Sequence, residues 1–295
     1  MSNEHNMSNI SVCASCGIAE VDEVKLNECA TCDLVRYCSG ACQRDHKSYH
    51  KEACKKRAAE LRDELLFKQP ESSHLGDCPI CMLPLPLDVT KTSMMSCCSK
   101  VICNGCYLAS KIRDVEASLN SSCPFCRQPV PTEEECNKNR RERIEANDPV
   151  AMNQEGVRQY HNRDYSSAFD YWTKAAELGD VSAQCQLADL YHYGYGVEKD
   201  RGKEIYHLEE AAICGHPSAR CNLGIDEWNN GNKERAAKHW IIAATQGDDG
   251  SIKYLIADFR RGFVGKDDLA AALRAHQAAV DATKSPQREA AEEYF

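Results

Sequence analysis

"CPFCRQP", residues 123–129, sets two cysteines three positions apart, with a proline and a phenylalanine between them and an arginine directly after. Such a pair can be one corner of a metal site, half of a disulfide or a redox centre. The choice decides how half of the chain folds. The chain has 295 residues and nineteen cysteines. Fifteen of them lie between Cys13 and Cys126, mostly as C-x-x-C pairs, while Cys136, Cys185, Cys214 and Cys221 are scattered. The opening stretch "MSNEHNMSNISV" is polar and has no apolar core of a secretory signal. The expectation is an intracellular protein, cytoplasmic or nuclear and not secreted. In a reducing compartment clustered cysteines are metal ligands rather than disulfides.

The bulk numbers agree with a soluble, multidomain chain. Hydrophobic residues make up 42% and charged residues 27%, and the length allows two or three domains. No stretch approaches the roughly 20 apolar residues of a membrane helix. The net charge of −9 divides as −1 for residues 1–70, −1 for 71–147 and −7 for 148–295. Four thiolates around one zinc ion would add further negative charge. This balance argues against a general phosphate-binding surface, so no nucleic acid is expected as a partner.

The first cluster offers eight ligands: Cys13-x2-Cys16, Cys29-x2-Cys32, Cys38-x3-Cys42 and His50-x3-Cys54. Eight are enough for two tetrahedral zinc sites. A tight turn brings the sulfurs of a C-x-x-C pair to one ion, and i, i+4 spacings put two ligands on one helix face. "YCSGACQRDHKSYHKEAC", residues 37–54, resembles the MYND zinc finger. The resemblance implies interleaved ligands, with Cys13, Cys16, Cys38 and Cys42 on one ion and Cys29, Cys32, His50 and Cys54 on the other. It also favours His50 over His46. Lys47 stands where the family usually has Trp. MYND fingers are mainly protein-binding modules, and the alternative for this one is a purely structural knot.

The second cluster offers Cys78-x2-Cys81, Cys97-Cys98, Cys103-x2-Cys106 and Cys123-x2-Cys126. "CPIC…CCSKVICNGC…CPFCR" resembles a RING finger. In that fold the first and third pairs share one zinc and the second and fourth share the other. Lys100 occupies the usual histidine position, and Cys97 can supply the missing sulfur. The resemblance implies a ubiquitin ligase, a partnership with a ubiquitin-conjugating enzyme and ubiquitin, and roles for three residues. Ile80 and Pro124 would contact the conjugating enzyme, and Arg127 would bridge the two partners. A guanidinium with donors in a rigid fork suits such bridging. For these residues the competing readings are small-core packing for Ile80 and Pro124 and a solvated side chain for Arg127.

From residue 148 the pattern changes to repeats. Ala151, Ala183, Ala219 and Ile252 begin similar units spaced 32, 36 and 33 residues apart. "KAAELGD", "EAAICGH" and "IAATQGD" end them, with Gly179, Gly215 and Gly247 suited to the position just past a helix. Paired helices at a period in the thirties are the signature of a stacked solenoid. The unit at 181–216, with Gly194, Gly196 and Val197, resembles the Sel1-like repeat.

The expected fold class is multidomain: two small zinc-stabilised α+β fingers followed by an all-α helical-repeat solenoid. The boundaries are a MYND finger at 13–54, a helical linker at 55–76 with Leu61, Leu65 and Leu66 on one side, a RING finger at 77–131, a helical linker at 132–147 and Sel1-like repeats at 148–295. Fifteen cysteines and His50 make sixteen ligands, hence four zinc ions. The leading functional expectation is a RING-type ubiquitin ligase that recruits protein substrate through its other modules. A non-catalytic, zinc-dependent adaptor is the alternative. The four remaining cysteines are expected as small hydrophobes in or between helices.

Overall fold

The computed structural model describes residues 11–21 and 23–295, so most of the polar N-terminal stretch lies outside the described residues. The chain divides into two compact units, one ending at Lys68 and one running from Gln69 to Phe295. Each has its own core. No helix among the described residues is long and apolar enough to cross a membrane.

The first unit is built on a two-stranded antiparallel sheet, β1 (Asn27–Glu28) and β2 (Arg36–Tyr37). Helix α1 (Gly40–Leu66) follows. Ser39 caps its start by accepting from the Cys42 N–H at 3.3 Å. No glycine or proline interrupts residues 41–66, so the helix of the finger and the expected linker helix are one element. Leu66 is buried but Leu65 is 54% exposed, so the three leucines of that stretch do not share one buried side. The core is small: Leu26 and Tyr37 pack with Cys13, Cys29 and Cys32. With so little apolar area, the sulfurs themselves must be tied together for the unit to hold.

The second unit starts with a 3-10 turn (Val89–Lys91), the hairpin β3 (Thr92–Met95) and β4 (Lys100–Cys103), and helix α2 (Asn104–Glu116). The hairpin register runs from Thr92↔Cys103 to Met95↔Lys100. Its core is Cys78, Leu85, Ile102, Cys103 and Cys106. Helix α3 (Glu133–Glu145) carries the capping box that Thr132 and Glu135 predict: the Thr132 hydroxyl accepts from the Glu135 N–H at 3.3 Å, and the Glu135 carboxylate accepts from the Thr132 N–H at 2.8 Å.

Four helix pairs then follow: α4 (Pro149–His161) with α5 (Tyr165–Glu177), α6 (Val181–Tyr193) with α7 (Arg201–Ile213), α8 (Pro217–Asn229) with α9 (Lys233–Ala244), and α10 (Asp249–Arg260) with α11 (Lys266–Ala282). A short α12 (Pro286–Ala291) ends the chain. Asp148, Asp180, His216 and Asp248 each cap the first helix of a pair through a side-chain acceptor. The "GYG" of the second pair needs its glycines. Gly194 and Gly196 have φ of 73° and 71°, and a Cβ on Gly196 would meet the Tyr165 backbone at 2.7 Å.

One contact recurs inside the pairs. Trp172 on α5 lies against Gly156 on α4 and donates to the Asn153 carbonyl at 3.2 Å. Trp240 on α9 lies against Gly224 on α8 and donates to the Cys221 carbonyl at 3.2 Å. In the middle pair the corresponding positions are Ala188 and Leu208, both buried. A larger residue on one helix is matched by a smaller one on the other, which holds the packing density of the interior.

The segment before the second finger is stitched to the repeats. His74 donates from its N–H to the Gly215 carbonyl at 2.9 Å, and its ring stacks on His216 with centroids 4.1 Å apart. Burial lowers His74 to about 4 and His216 to about 3, the neighbouring imidazole adding to the second shift. His216 also accepts from the Ala219 N–H, which requires an unprotonated Nδ1. The unfolded chain binds protons on these rings from about pH 6.5 downward while the folded chain refuses them, so this contribution to stability is full above that pH and is lost as pH falls toward 4. Both rings are expected to keep the NMR chemical shifts of neutral imidazole from pH 8 to pH 5. Titration of either near 6.5 in the folded protein would contradict the stacked arrangement.

Candidate metal centres

Four of the C-x-x-C pairs sit on the same backbone turn. In each, the N–H directly after the second cysteine donates to the carbonyl of the first: Gly17 to Cys13 at 2.9 Å, Asp33 to Cys29 at 3.2 Å, Met82 to Cys78 at 2.8 Å and Arg127 to Cys123 at 2.9 Å. That residue is left-handed in every case, with φ of 75°, 55°, 57° and 60° respectively. The turn bends the chain back so that both sulfurs point the same way. For Asp33, Met82 and Arg127 the conformation costs on the order of 1 kcal/mol. The pattern explains what the spacing alone does not: the residue after the second sulfur has a fixed backbone role, which glycine fills at one of the four positions.

The remaining ligands come from helices and a hairpin turn. Cys38 and Cys42 straddle the start of α1, and His50 and Cys54 follow two and three turns later. Cys103 is the N-cap of α2, its sulfur accepting from the Cys106 N–H at 3.4 Å. Cys97 and Cys98 lie in the turn between β3 and β4, where Ser99 takes φ of 50°.

The structure brings these side chains into four groups: Cys13, Cys16, Cys38 and Cys42; Cys29, Cys32, His50 and Cys54; Cys78, Cys81, Cys103 and Cys106; and Cys97, Cys98, Cys123 and Cys126. Within each group the ligand atoms lie within 4.8 Å of one another. A tetrahedron of sulfurs 2.3 Å from a zinc ion has edges of about 3.8 Å. The observed separations bracket that value: Cys16–Cys38 and Cys38–Cys42 at 3.6 Å, Cys29–Cys54 at 3.9 Å, Cys81–Cys103 at 3.8 Å, Cys98–Cys123 at 3.9 Å and Cys97–Cys126 at 3.3 Å. The His50 Nε2 lies 3.0 Å from the Cys32 sulfur. All nineteen cysteines are free, so none of these pairs is a disulfide.

The protonation chemistry asks for a cation. The backbone N–H groups of Cys16 and Cys38 lower the Cys13 thiol to about 6, while Cys38, hydrogen-bonded to the Cys16 and Cys42 sulfurs, is pushed up to about 12. Burial opposes ionisation of Cys29, yet the Thr31 N–H and the His50 and Cys32 side chains bring it to about 6; burial raises its neighbour Cys54 to about 11. In the second finger burial again opposes, but backbone N–H groups at Cys81, Cys103 and Ile80 lower Cys78 to about 7. Burial there raises Cys97, Cys98, Cys103 and Cys106. Burial opposes ionisation of Cys123 as well, but backbone N–H groups at Cys126 and Phe125 lower it. Each group therefore pairs one cysteine whose ionisation is favoured with at least one whose ionisation is opposed. A divalent ion at the centre reverses that resistance and lets all four ligands deprotonate.

The other singled-out residues find clear places. His46 is not among the grouped ligands; its Nδ1 is 3.1 Å from the Tyr37 hydroxyl and its ring stacks on His50, holding the ligand ring in place. Lys47 lines a cavity of about 410 Å³ with Cys29, Tyr37, Arg44 and Lys51. Lys100 places its ammonium 5.7 Å from the Phe125 ring centroid instead of near the sulfurs. Ile80 is 41% exposed, Pro124 is half-buried and Arg127 is exposed. Of the four scattered cysteines, Cys221 is buried and Cys136 and Cys185 are half-buried, but Cys214 is exposed at the end of α7, where the helix runs out before Gly215. Arg288 has no local signal in the sequence, yet its Nη2 donates to the Cys81 sulfur at 3.3 Å.

Comparison with known proteins settles two of the three modules. The family model described as MYND finger matches residues 13–54. The model described as Sel1 repeat matches residues 151–180, 181–216 and 217–248. The chain carries a MYND finger and Sel1 repeats. The three Sel1 matches coincide with the first three helix pairs, and the pair α10–α11 continues the stack beyond them. The cysteine cluster at 78–126 lies outside both kinds of match. Among curated proteins, DAP3-binding cell death enhancer 1 of Mus musculus is 24% identical over 180 residues, covering 48% of this chain and 35% of the mouse protein. The chain thus spans about a third of that relative's length. Among solved structures, a Sel1 repeat protein from Oxalobacter formigenes is 23% identical with a TM-score of 0.44, covering 57% of this chain and 68% of that one. The c5321 protective antigen of uropathogenic Escherichia coli, described as displaying an SLR fold, is 22% identical with a TM-score of 0.43, covering 52% and 34%. The molecule is a zinc-binding finger region followed by a Sel1 solenoid, and its MYND finger and repeats are protein-interaction modules.

Proposed function

We propose that the second finger is a RING finger and that the protein is an intracellular ubiquitin ligase whose MYND finger and Sel1 repeats recruit protein substrate. The observation that carries this reading is the arrangement of the second finger. Its first and third cysteine pairs share one site and its second and fourth share the other. This cross-brace ties together the turn that exposes Ile80 and the turn that holds Pro124 and Arg127. A conjugating enzyme would seat on Ile80 and Pro124. Arg127 would donate to both that enzyme and the ubiquitin it carries, holding the thioester in a reactive pose without forming a covalent bond.

The test is self-ubiquitination by the purified protein with a panel of conjugating enzymes. Arg127→Ala and Ile80→Ala are each expected to lower the rate roughly 5- to 100-fold, the range for losing one interface anchor, with zinc content unchanged. Arg127→Gly separates the backbone role from the guanidinium. It relieves the left-handed strain and is expected to leave the finger as stable or more so, while losing activity as Arg127→Ala does. Wild-type protein with four zinc ions that is inert across the panel would refute the ligase reading.

A second reading is an adaptor that binds proteins without transferring ubiquitin. The observations in its favour are the name of the mouse relative, which describes a DAP3-binding protein, and the absence of Lys100 from the ligand group at the usual histidine position. Stable partners captured on the repeats by a protein that binds no conjugating enzyme would support it.

A further inference from the structure

Arg288 reaches the second finger from the far end of the chain. It sits on α12, after the last helix pair, and only 9% of it is exposed. Its guanidinium makes four hydrogen bonds. Nη1 donates to the Pro84 carbonyl at 2.7 Å and to the Thr283 carbonyl at 2.7 Å; Nη2 donates to the Leu83 carbonyl at 3.1 Å and to the Cys81 sulfur at 3.3 Å. The segment around it is fitted to the same finger. Gln287 donates to the Gly105 carbonyl at 3.2 Å, and Gly105 lies between two ligands. A Cβ on Gly105 would meet the Gln287 carbonyl oxygen at 2.9 Å and the Arg288 Cα at 3.0 Å. Lys91 pairs with Glu292 at 2.5 Å, and the Tyr107 and Phe295 rings lie 5.9 Å apart.

Charge explains why an arginine is worth burying here. Four thiolates on one zinc ion carry a net −2, and a buried excess charge is costly unless it is paired. A guanidinium touching one sulfur offsets part of that charge, and its fork lets it hold carbonyls at the same time. We propose that Arg288 is the outer-sphere partner of the Cys78, Cys81, Cys103 and Cys106 site, and that α12 is a clasp whose closure and whose zinc stabilise each other. Such coupling is reciprocal: closure slows loss of the metal, and loss of the metal opens the clasp. The inference rests on zinc binding alone and is independent of any ligase activity.

The experiment follows zinc release from the full chain to a colorimetric chelator, with hydrogen exchange read over residues 285–295. In Arg288→Gln, one zinc of four is expected to leave roughly 10- to 100-fold faster, the range for losing an outer-sphere partner, while the other three leave at the wild-type rate. Arg288→Lys keeps the charge without the fork and should fall between. Residues 285–295 should lose exchange protection in Arg288→Gln, and equally in Cys78→Ser, which damages the site and not the clasp. Wild-type release of all four ions from Arg288→Gln would overturn the proposal, whether or not α12 opens. So would a uniform acceleration of all four, which is the mark of general destabilisation.

Discussion

Cys78→Ser should leave the protein with three zinc ions in place of four by native mass spectrometry, and with the part of the second finger around that one site loosened. Cys78 is fully buried, is brought down, against the opposing effect of burial, to about 7 by backbone N–H groups, and accepts the Cys103 N–H at 3.5 Å. A serine hydroxyl remains protonated near neutral pH and is a poor zinc ligand, so the tetrahedron loses a corner. Structural zinc contributes on the order of 10 kcal/mol to the folding of a small finger, and the apolar core here, with Leu85 and Ile102 as its only buried non-cysteine members, cannot replace it. The unit that ends at Lys68 is separate and has its own two ligand groups, so its two ions should stay. Retention of four ions by Cys78→Ser, or a second finger left as ordered as before without that ion, would contradict the assignment of that site.

Gly224→Ala is expected to destabilise the repeats by about 1–3 kcal/mol, the usual cost of overfilling a packed contact. The added methyl would meet the Trp240 indole at 2.4 Å, and Trp240 is held by its bond to the Cys221 carbonyl. Trp240→Leu alone should also cost about 2–4 kcal/mol through the cavity it leaves. The double variant recreates the Ala188–Leu208 pairing that the neighbouring unit already uses, so the two losses should not add. A thermal or urea unfolding cycle would show a coupling of about 1–2 kcal/mol in the stabilising direction. Simple additivity would mean that the matched sizes in successive units are coincidental.

The side chains that gather into groups were legible because a C-x-x-C turn brings two sulfurs together over a short range, readable from spacing. The interleaving of those pairs was not, since nothing local says which two turns meet; a resemblance to known fingers supplied it. The repeats announced themselves through Gly179, Gly215 and Gly247, each needed where a helix ends. Other features escaped for physical reasons. The linker at 55–76 read as a separate helix only because the finger was expected to end at Cys54, whereas a backbone with no glycine or proline before Leu66 has no cause to stop there. The left-handed residue after the second cysteine of four C-x-x-C pairs had one clue, Gly17, and three non-glycine residues masked it. Arg288 had none: "PQREAA" looks like any charged terminal helix, and its partners on the second finger lie more than 200 residues earlier.

The clasp has a mechanical consequence. A stack of helical repeats ordinarily frays from its free ends, because terminal units touch one neighbour instead of two. Here one end of the stack is joined to the second finger through α3, and the other end is fastened back onto that finger by residues 285–295. The solenoid is thereby tied into a loop whose knot is a metal site. Unzipping from the last pair must first break that knot, so chelation at a single site near the start of the unit would loosen helices at its end.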